Sequence, residues 1–335
     1  MSNKIIDLLF SCNWQDNLSI NIVIPTFSRK ENLLYLLNHL SNLNNSEIGI
    51  IVIDNDPDGN ITESDIRIML TQNIRFKLYK NHLHLGPDAS VLRAMELATS
   101  NWIYLLGDSK IPDLTIINNF AMNIQNYNLF AAVVYSYDIK YKNNFVVNNL
   151  TELLNFDFKF GDILLGGNVI IKQNTFFTYY SIASQFTLAR SILPIFIILS
   201  LNDSNKIIFK NDVLVIQTIS KPFNYDPKLS LLECWAQFSL LLNLPINTTN
   251  LYSLNKFIIK NENFNSRLIF YKFVLLKIFK DRIDISNNLK KILSYRYIFY
   301  INLIEYLMIY SLYIFSITYN FIKNKKSSIK KPLKK

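Results

Sequence analysis

The sequence predicts an α/β fold in which helices flank a mostly parallel sheet, followed by a helical C-terminal region. Two observations predict the sheet: short β-branched apolar runs alternate with segments of helical periodicity, and polar residues follow the end of each run. The third observation is a change after Pro222, where long apolar helical segments replace the alternation. We therefore expect a first domain over residues 1–215 and a helical region over residues 216–335.

The first strand is predicted at residues 21–27, because NIVIPTF is a β-branched apolar run typical of a buried strand. A helix is predicted directly after it. Ser28 and Glu31 have the spacing of a capping box, in which each side chain bonds a free backbone N–H at the start of the helix. The residues expected to face the core at helical spacing are Leu33, Leu37 and Leu40.

The alternation continues along the chain with further elements of similar length. Predicted strands are residues 48–55, 74–80, 101–108 and 129–137, and predicted helices are residues 62–72, a helix from near Asp88, and a helix from Pro112 to about residue 125. Asp88 and Asp113 are candidate N-caps of their helices. Between 150 and 215, LLGGNVII and KIIFKNDVLVIQ predict strands, and SQFTLARSILPIFIIL predicts an apolar helix.

Several classes of site and function are disfavoured by motifs that the chain lacks. Cys12 and Cys234 are the only cysteines and form no Cys-x-x-Cys pair, so neither a disulfide framework nor a zinc site is indicated. No G-x-G-x-x-G follows the first strand and no G-x-x-x-x-G-K-[ST] occurs, which disfavours a dehydrogenase and a nucleoside triphosphatase. His82 and His84 lack a third ligand at suitable spacing, and Arg93 is expected to pair with Glu96 on a helix surface.

The positive charge and the apolar C-terminal region predict contact with a membrane surface. The formal net charge is +10, and the lysines of residues 321–335 occur with no acidic residue among them. Residues 297–322 approach the length of a membrane span but contain Glu305 and are flanked by basic residues on both sides. This pattern favours a helix lying in the plane of the interface, with a true span and a buried or dimer-forming helix as alternatives. Nucleic acid is not an expected partner.

The N-terminal apolar run is interrupted by Asp7 and does not form a convincing signal peptide. We therefore expect a cytoplasmic protein that is attached peripherally to the inner face of the cell membrane.

Polar residues follow the carboxyl end of each predicted strand in the first 140 residues. Ligands of open α/β sheets bind at that edge, so these side chains are expected to converge there. Carboxylates at such positions can hydrogen-bond a ribose or a base edge, or can hold a divalent cation on phosphates. The segments concerned are Thr26-Phe27-Ser28, Asp54-Asn55-Asp56, Gly86-Pro87-Asp88 and Gly107-Asp108-Ser109.

The first 140 residues resemble glycosyltransferase family 2, which has the GT-A fold, a Rossmann-like arrangement of helices on a mostly parallel sheet. The segments that carry the resemblance, in matching order and spacing, are IVIPTFSRKENL, IIVIDNDPDG, NHLHLGPDASVLRAMELA and WIYLLGDSKIP. The last two are similar to bacterial lipopolysaccharide side-chain transferases of the abequosyltransferase type. The resemblance implies binding of a nucleotide-sugar donor by Pro25, Thr26, Asp54, Asn55, Asp88 and Asp108.

The chain departs from the family where an Asp-x-Asp metal motif is expected, because the segment is Asp108-Ser109-Lys110. Three interpretations stay open at this point. Asp108 alone can bind Mn²⁺ or Mg²⁺, Lys110 can offer positive charge to the diphosphate directly, or the domain has lost activity.

What the resemblance implies about the reaction is transfer of a hexosyl or deoxyhexosyl unit, with inversion, to a lipid-linked or lipopolysaccharide-type glycan. Residues 150–215 would form the acceptor side of the domain. The catalytic base is not assigned, since no sequence pattern singles out either of the candidates Glu233 and Asp162. The alternative is a catalytically inactive domain that binds nucleotide-sugars or glycans.

Overall fold

The computed structural model describes residues 6–59, 61–69, 74–136, 143–156, 163, 166–186, 192–219, 244–251 and 253–254, with the single residues 311, 314 and 318. The chain divides into two compact units. The first holds Met1–Phe223 with Leu244–Ile246, and the second holds Asn224–Asn243 with Asn247–Lys335. The predicted helix at 297–322 and the lysine-rich tail lie outside the described residues except for the three single positions, which are helical. Asp162, Glu233 and Cys234 also lie outside them.

Strands and helices alternate through the first unit, as the sequence predicted. The strands are β1 (Ile6–Cys12), β2 (Ile20–Thr26), β3 (Ile48–Asp54), β4 (Arg75–Asn81), β5 (Trp102–Leu105), β6 (Lys110–Pro112), β7 (Phe130–Ser136), β8 (Phe145–Val147), β9 (Val169–Lys172), β10 (Lys206–Val213) and β11 (Val215–Thr218). The helices are α1 (Lys30–Leu40), α2 (Glu63–Met69), α3 (Pro87–Glu96), α4 (Leu114–Met122), α5 (Leu150–Asn155), α6 (Gln173–Ala183) and α7 (Ile192–Asn202).

Nine of these strands form one mixed sheet in the order β1-β4-β3-β2-β5-β9-β7-β10-β8. The central strands β4, β3, β2 and β5 are parallel to one another. β9 lies antiparallel between β5 and β7, β1 is antiparallel to β4, and β8 is antiparallel to β10. The sheet is therefore mostly parallel, and the strands β1, β8 and β9 run in the opposite direction. β6 and β11 form a separate two-stranded ribbon.

The core lies on both faces of the central strands, which explains why these strands read as continuous apolar runs. On one face, Ile22 and Ile24 of β2 belong to the same buried cluster as Leu33, Leu36 and Leu37 of α1. The predicted apolar face of α1 is confirmed by the burial of Leu33, Leu37 and Leu40. α3 contacts β2, β3 and β5, and its Leu92 and Met95 are buried outside that cluster.

Two predicted helix caps are wrong, and one is confirmed. α1 begins at Lys30 with Arg29 at the N-cap position, and the Ser28 side chain instead donates to the Asp56 carboxylate. α3 has Gly86 at its N-cap, so Asp88 is the second helical residue rather than the cap. Asp113 does cap α4, because its carboxylate accepts hydrogen bonds from the N–H groups of Thr115 and Ile116.

The N-terminal run that failed the signal-peptide pattern forms a strand. β1 pairs antiparallel with β4 at the edge of the sheet, and Asp7 lies 2.9 Å from the ring of His82. The predicted apolar helix after residue 184 begins at Ile192 in the described part of the chain, and residues 192–201 are all buried. Among the helices whose positions are described, none is long and apolar enough to cross a membrane.

Asn21 ties the amino end of β2 to the turn that precedes β5. Its side chain is 0% exposed, and its Oδ1 accepts hydrogen bonds from the N–H groups of Thr99 (2.9 Å) and Ser100 (3.1 Å). Gly49 on the neighbouring strand makes room for this amide, since a Cβ at residue 49 would lie 2.8 Å from Asn21 Nδ2. The buried amide therefore fixes the start of two central strands of the sheet.

We predict that Asn21→Ala lowers the free energy of unfolding by about 2 kcal/mol, because it leaves two backbone N–H groups without an acceptor beside a buried strand. Urea denaturation followed by circular dichroism measures this change. The control is Asn42→Ala, whose exposed amide bonds only carbonyls of its own helix and should change stability by less than about 0.5 kcal/mol. Equal effects of the two substitutions would contradict the assignment.

Candidate functional site

The central parallel strands bring polar side chains together at their carboxyl edge. Thr26 ends β2 and lies in register with Asp54 at the end of β3, which lies in register with Lys80 near the end of β4. Asp108 follows β5, and its Oδ2 accepts a hydrogen bond of 2.8 Å from Thr26 Oγ1. Asp54, Asn55 and Asp108 are all buried. The predicted convergence of these residues at one edge is thus the arrangement found, as parallel strand direction requires.

Asp108 is held by two donors, one at the end of β2 and one at the start of α1. In addition to the Thr26 hydroxyl on Oδ2, Arg29 Nη1 lies 3.0 Å from Oδ1, so each carboxylate oxygen has a partner. The Asp108 side chain is 6% exposed, whereas that of Arg29 is 29% exposed. Burial raises the pKa of Asp108 above its ordinary value, although Arg29 and the Thr26 hydroxyl act to lower the pKa. Arg29 therefore compensates a buried negative charge and also reaches solvent.

Asp54 is the second buried carboxylate of this edge, and one of its oxygens has no partner. Oδ1 accepts a hydrogen bond of 3.0 Å from the Asp56 N–H, while Oδ2 is buried without a hydrogen bond to any residue that the structure describes. Burial raises the pKa of Asp54, against the lowering effects of the Asp56 N–H and of Lys80. A buried acceptor without a donor is unfavourable, so Oδ2 is suited to accept a hydrogen bond from a bound molecule.

The loop after β3 covers the Asp54 carboxylate closely at Gly59. A Cβ at residue 59 would lie 2.5 Å from Asp54 Oδ2, which is closer than a side chain can approach. Lys80 Nζ holds the same loop by donating to the Gly59 carbonyl at 2.7 Å, and Asp56 bonds the Ser28 hydroxyl of the β2–α1 connection. The DNDPDG segment is therefore more than a tight turn, since it forms the cover of Asp54.

Asn55, a predicted donor-binding residue, makes internal hydrogen bonds through its side-chain oxygen. Asn55 Oδ1 accepts from Asn81 Nδ2 at 2.9 Å and from the Leu85 N–H at 3.2 Å. It thereby links the end of β4 to the loop that leads into α3. Asn81 is 0% exposed, and its own Oδ1 is buried without a hydrogen bond. Sequence reasoning missed Asn81, although its place at the end of a predicted strand is the signal that would have found it.

Asp88, Pro25 and Lys110 lie at the same edge but on different elements. Asp88 is buried in the first turn of α3, behind Gly86, whose φ of 78° favours glycine. Pro25 is half-buried within β2. Lys110 begins β6, where its Nζ donates to Thr218 Oγ1 of β11 at 3.0 Å, and burial lowers its pKa.

Segments from the second half of the domain converge on Lys110. β11 pairs with β6, and a Cβ at Gly167 would lie 2.8 Å from Val215 and 3.8 Å from Lys110 Cγ. Gly167 has a φ of 110°, so glycine is needed there for both its conformation and its size. The residues predicted as the acceptor side therefore adjoin the position where the family's second acidic ligand is absent.

The histidines and Arg93 have structural partners. His82 lies beside Asp7 on β1, whereas the His84 ring packs at 4.5 Å against the ring of Phe27. The two histidines thus face different partners. Arg93 pairs with Glu96 on the surface of α3, and His39 bonds the Pro112 carbonyl at 2.9 Å. Phe27 is 46% exposed, which leaves an aromatic ring accessible beside the polar edge.

The side chains at this edge do not fit a divalent cation that is held by the protein alone. Such a cation needs several oxygen ligands, but Asp108 already pairs with Arg29 and Lys110 replaces the second acid. In the part of the chain that is described, no group of three His, Cys, Asp or Glu side chains is placed to bind a metal.

Comparison with known proteins supports the interpretation of the fold. Residues 21–183 match the profile of glycosyl transferase family 2. No curated protein is significantly similar in sequence to this chain. The fold is similar to S. aureus TarS 1-349 in complex with UDP, with a TM-score of 0.61, 12% identity and 89% of each chain covered.

Two further solved structures are similar in fold. S. aureus TarS 1-349 in complex with UDP-GlcNAc gives a TM-score of 0.59 at 12% identity, with 89% of each chain covered. The mannosyltransferase PcManGT from Pyrobaculum calidifontis, in complex with GDP-Man and Mn²⁺, gives 0.50 at 10% identity and covers 91% of this chain and 90% of that one. The match over residues 21–183 and the similarity of fold agree with the resemblance seen in the sequence and with a GT-A fold.

We predict that Asp54→Asn stabilises the unliganded protein at neutral pH by about 1 kcal/mol, since it removes a buried charge with an unpartnered oxygen. Because the pKa of Asp54 is raised in the folded protein, the protonated carboxyl contributes stability below the unfolded pKa of about 3.9. That contribution is lost as the pH rises through the pKa of the folded state. The gain from the substitution should therefore shrink towards pH 4. Urea unfolding at several pH values measures it, with the exposed Asp58→Asn as the control from the same loop. Destabilisation at pH 7 would contradict this account.

Proposed function

We propose that this domain binds a nucleoside diphosphate sugar at the carboxyl edge of β2, β3, β4 and β5 and transfers the sugar to an acceptor hydroxyl. The observation that carries the proposal is the buried Asp54 carboxylate, whose Oδ2 has no partner at the ligand-binding edge of a GT-A fold. The similar structures of S. aureus TarS contain UDP or UDP-GlcNAc, and that of the P. calidifontis mannosyltransferase contains GDP-Man, which supports a donor of this class.

The nucleoside is proposed to lie against β2 and β3. When the Gly59 segment moves off the Asp54 carboxylate, Oδ2 accepts a hydrogen bond from a ribose hydroxyl or a base N–H. The exposed ring of Phe27 offers a stacking surface for the base. Pro25 and Thr26 shape the floor, and Asn55 holds the Leu85 backbone that borders the pocket.

The diphosphate and sugar are proposed to extend towards β5 and α3. The start of α3, with Asp88, borders this path, and the positive end of the helix favours phosphate oxygens. Lys110 and Asp108 lie at the far end beside β11, where the acceptor would approach. These roles follow the residues that the sequence predicted.

The transfer itself is proposed to invert the anomeric centre. The acceptor oxygen bonds the anomeric carbon as the bond from that carbon to the phosphate oxygen breaks, and the nucleoside diphosphate leaves with the electron pair. The acceptor proton passes to a general base, and no described residue is assigned to that role. The similarity of the LGPD and LLGD segments to lipopolysaccharide side-chain transferases supports a hexosyl or deoxyhexosyl donor and a lipid-linked glycan acceptor.

Attachment to the inner face of the cell membrane is part of the same proposal. A lipid-linked acceptor is presented at a membrane surface, and the segment after residue 320 has the charge to bind anionic lipid, with the lysines Lys323, Lys325, Lys326, Lys330, Lys331, Lys334 and Lys335.

The donor site is tested by thermal unfolding of the protein with nucleoside diphosphates and nucleotide-sugars. We expect one nucleotide to raise the melting temperature, because a ligand that binds only the native state stabilises it. Asp54→Asn should weaken that nucleotide by about 10- to 100-fold, as expected for loss of a buried charged acceptor. Asp58→Asn, from the exposed part of the same loop, should leave the affinity unchanged. No shift with any nucleotide would favour a domain that has lost donor binding.

Membrane attachment is tested by sedimentation with vesicles. We predict that the full chain binds vesicles containing anionic lipid, and that removal of residues 321–335 weakens binding by at least about 10-fold, since each lysine near such a surface contributes roughly 1 kcal/mol. Raising the salt concentration should also weaken binding. Equal binding of the full and truncated chains to anionic vesicles would contradict a role for the tail.

A further inference from the structure

We infer that Arg29, held by Asp108, supplies the positive charge that offsets the donor diphosphate, in place of a protein-bound divalent cation. Asp108 is then a positioning residue for Arg29 rather than a metal ligand. This inference rests on the proposed function, because it concerns the diphosphate of the same donor. It commits the chain to metal-independent donor binding.

Asp108 is already bound by two hydrogen-bond donors of the chain. Each oxygen of Asp108 already accepts a hydrogen bond, Oδ2 from Thr26 at 2.8 Å and Oδ1 from Arg29 at 3.0 Å, so a metal ion would have to compete with these donors for the carboxylate charge. The carboxylate is 6% exposed, so it cannot turn to solvent to take a hydrated ion without breaking one of these bonds. Both of those bonds join β5 to the β2–α1 connection, and breaking either leaves a buried polar group unpaired.

The charge around the Asp108 carboxylate also opposes a divalent ion. A divalent ion at Asp108 would lie beside the Arg29 guanidinium, which is 3.0 Å from Asp108 Oδ1. Like charges at such distances repel strongly in a partly buried site. Family members with a second acid at this position add negative charge for the metal, whereas this chain adds a cation.

The geometry of Arg29 is suited to binding a phosphate group. Its main chain is fixed, because the Arg29 carbonyl accepts the Leu33 N–H at 3.0 Å in the first turn of α1. Its side chain is held by Asp108 yet is 29% exposed, so the guanidinium is oriented and remains accessible from the edge. A planar guanidinium matches the spacing of phosphate oxygens. Its place at the start of α1 adds the positive end of that helix.

The test measures the affinity for the nucleoside diphosphate that binds in the thermal screen, by calorimetry in EDTA and in MnCl₂. The expected result for the natural sequence is the same dissociation constant within about twofold in both solutions. Arg29→Gln should weaken the diphosphate by about 10- to 100-fold, the effect of losing one or two charge-assisted hydrogen bonds, with no rescue by MnCl₂. The matching nucleoside without phosphate should bind both proteins equally.

Three further proteins separate a charge effect from a folding effect. Arg29→Lys keeps the charge but loses the planar fork, so its affinity should fall between those of the natural sequence and Arg29→Gln. Asp108→Asn should weaken the diphosphate without creating a dependence on MnCl₂. Arg67→Gln removes an exposed arginine of α2 that pairs with Glu63 and should change nothing. Unfolding curves for each protein establish that the folded state is retained.

The outcomes separate this inference from the function on which it rests. If EDTA abolishes diphosphate binding by the natural sequence, or if MnCl₂ restores binding to Arg29→Gln, the metal has the role assigned here to Arg29 and only the inference fails. If no nucleoside diphosphate binds in either solution, the proposed function fails and this inference fails with it. Stoichiometric binding of Mn²⁺ to the protein alone, measured by electron paramagnetic resonance, would also overturn it.

Discussion

The burial of two carboxylates, Asp54 and Asp108, at one edge of a parallel sheet is the constraint on which the rest of the site depends. An ionised carboxylate removed from water must be paired or hydrogen-bonded, and the two residues meet this requirement differently. Asp108 is compensated within the chain by Arg29 and Thr26. Asp54 is compensated only in part, since one oxygen has no donor. The charge of Asp108 is therefore balanced within the site, whereas that of Asp54 is balanced only in part.

The parallel register of β2, β3 and β4 is what makes this arrangement possible. Thr26, Asp54 and Lys80 occupy the same level of three neighbouring strands, so their side chains meet without any long-range adjustment. The connections after these strands then pack on one another: Ser28 bonds Asp56, and Lys80 holds Gly59. Folding of the central sheet thus assembles the cover of the site at the same time as its floor.

Local patterns in the sequence predicted the central strands, the apolar face of α1 and the cap at Asp113, because each depends on residues close together in the chain. The caps at Ser28 and Asp88 were wrong for a tertiary reason. The Ser28 hydroxyl is taken by Asp56 from another strand, and Gly86 adopts a backbone conformation that displaces the cap by two residues. β9, which lies antiparallel between β5 and β7, comes from 169–172, and no local periodicity reveals such a partner.

The same limit explains why Arg29 was missed while Lys110 was noticed. Lys110 departs from a family motif and is visible in the sequence alone, whereas Arg29 is one of many basic residues and gains its meaning only from the contact with Asp108, 79 residues away. Given the contact between Arg29 and Asp108, a lysine at residue 110 agrees with the inferred site and does not indicate lost activity. A site that carries its own partly exposed arginine has no electrostatic use for a second acid, because that acid would compete with Asp108 for the guanidinium. The Arg29–Asp108 ion pair and the lysine at residue 110, where the metal motif has an acid, are therefore both consistent with the inferred arginine-bound diphosphate.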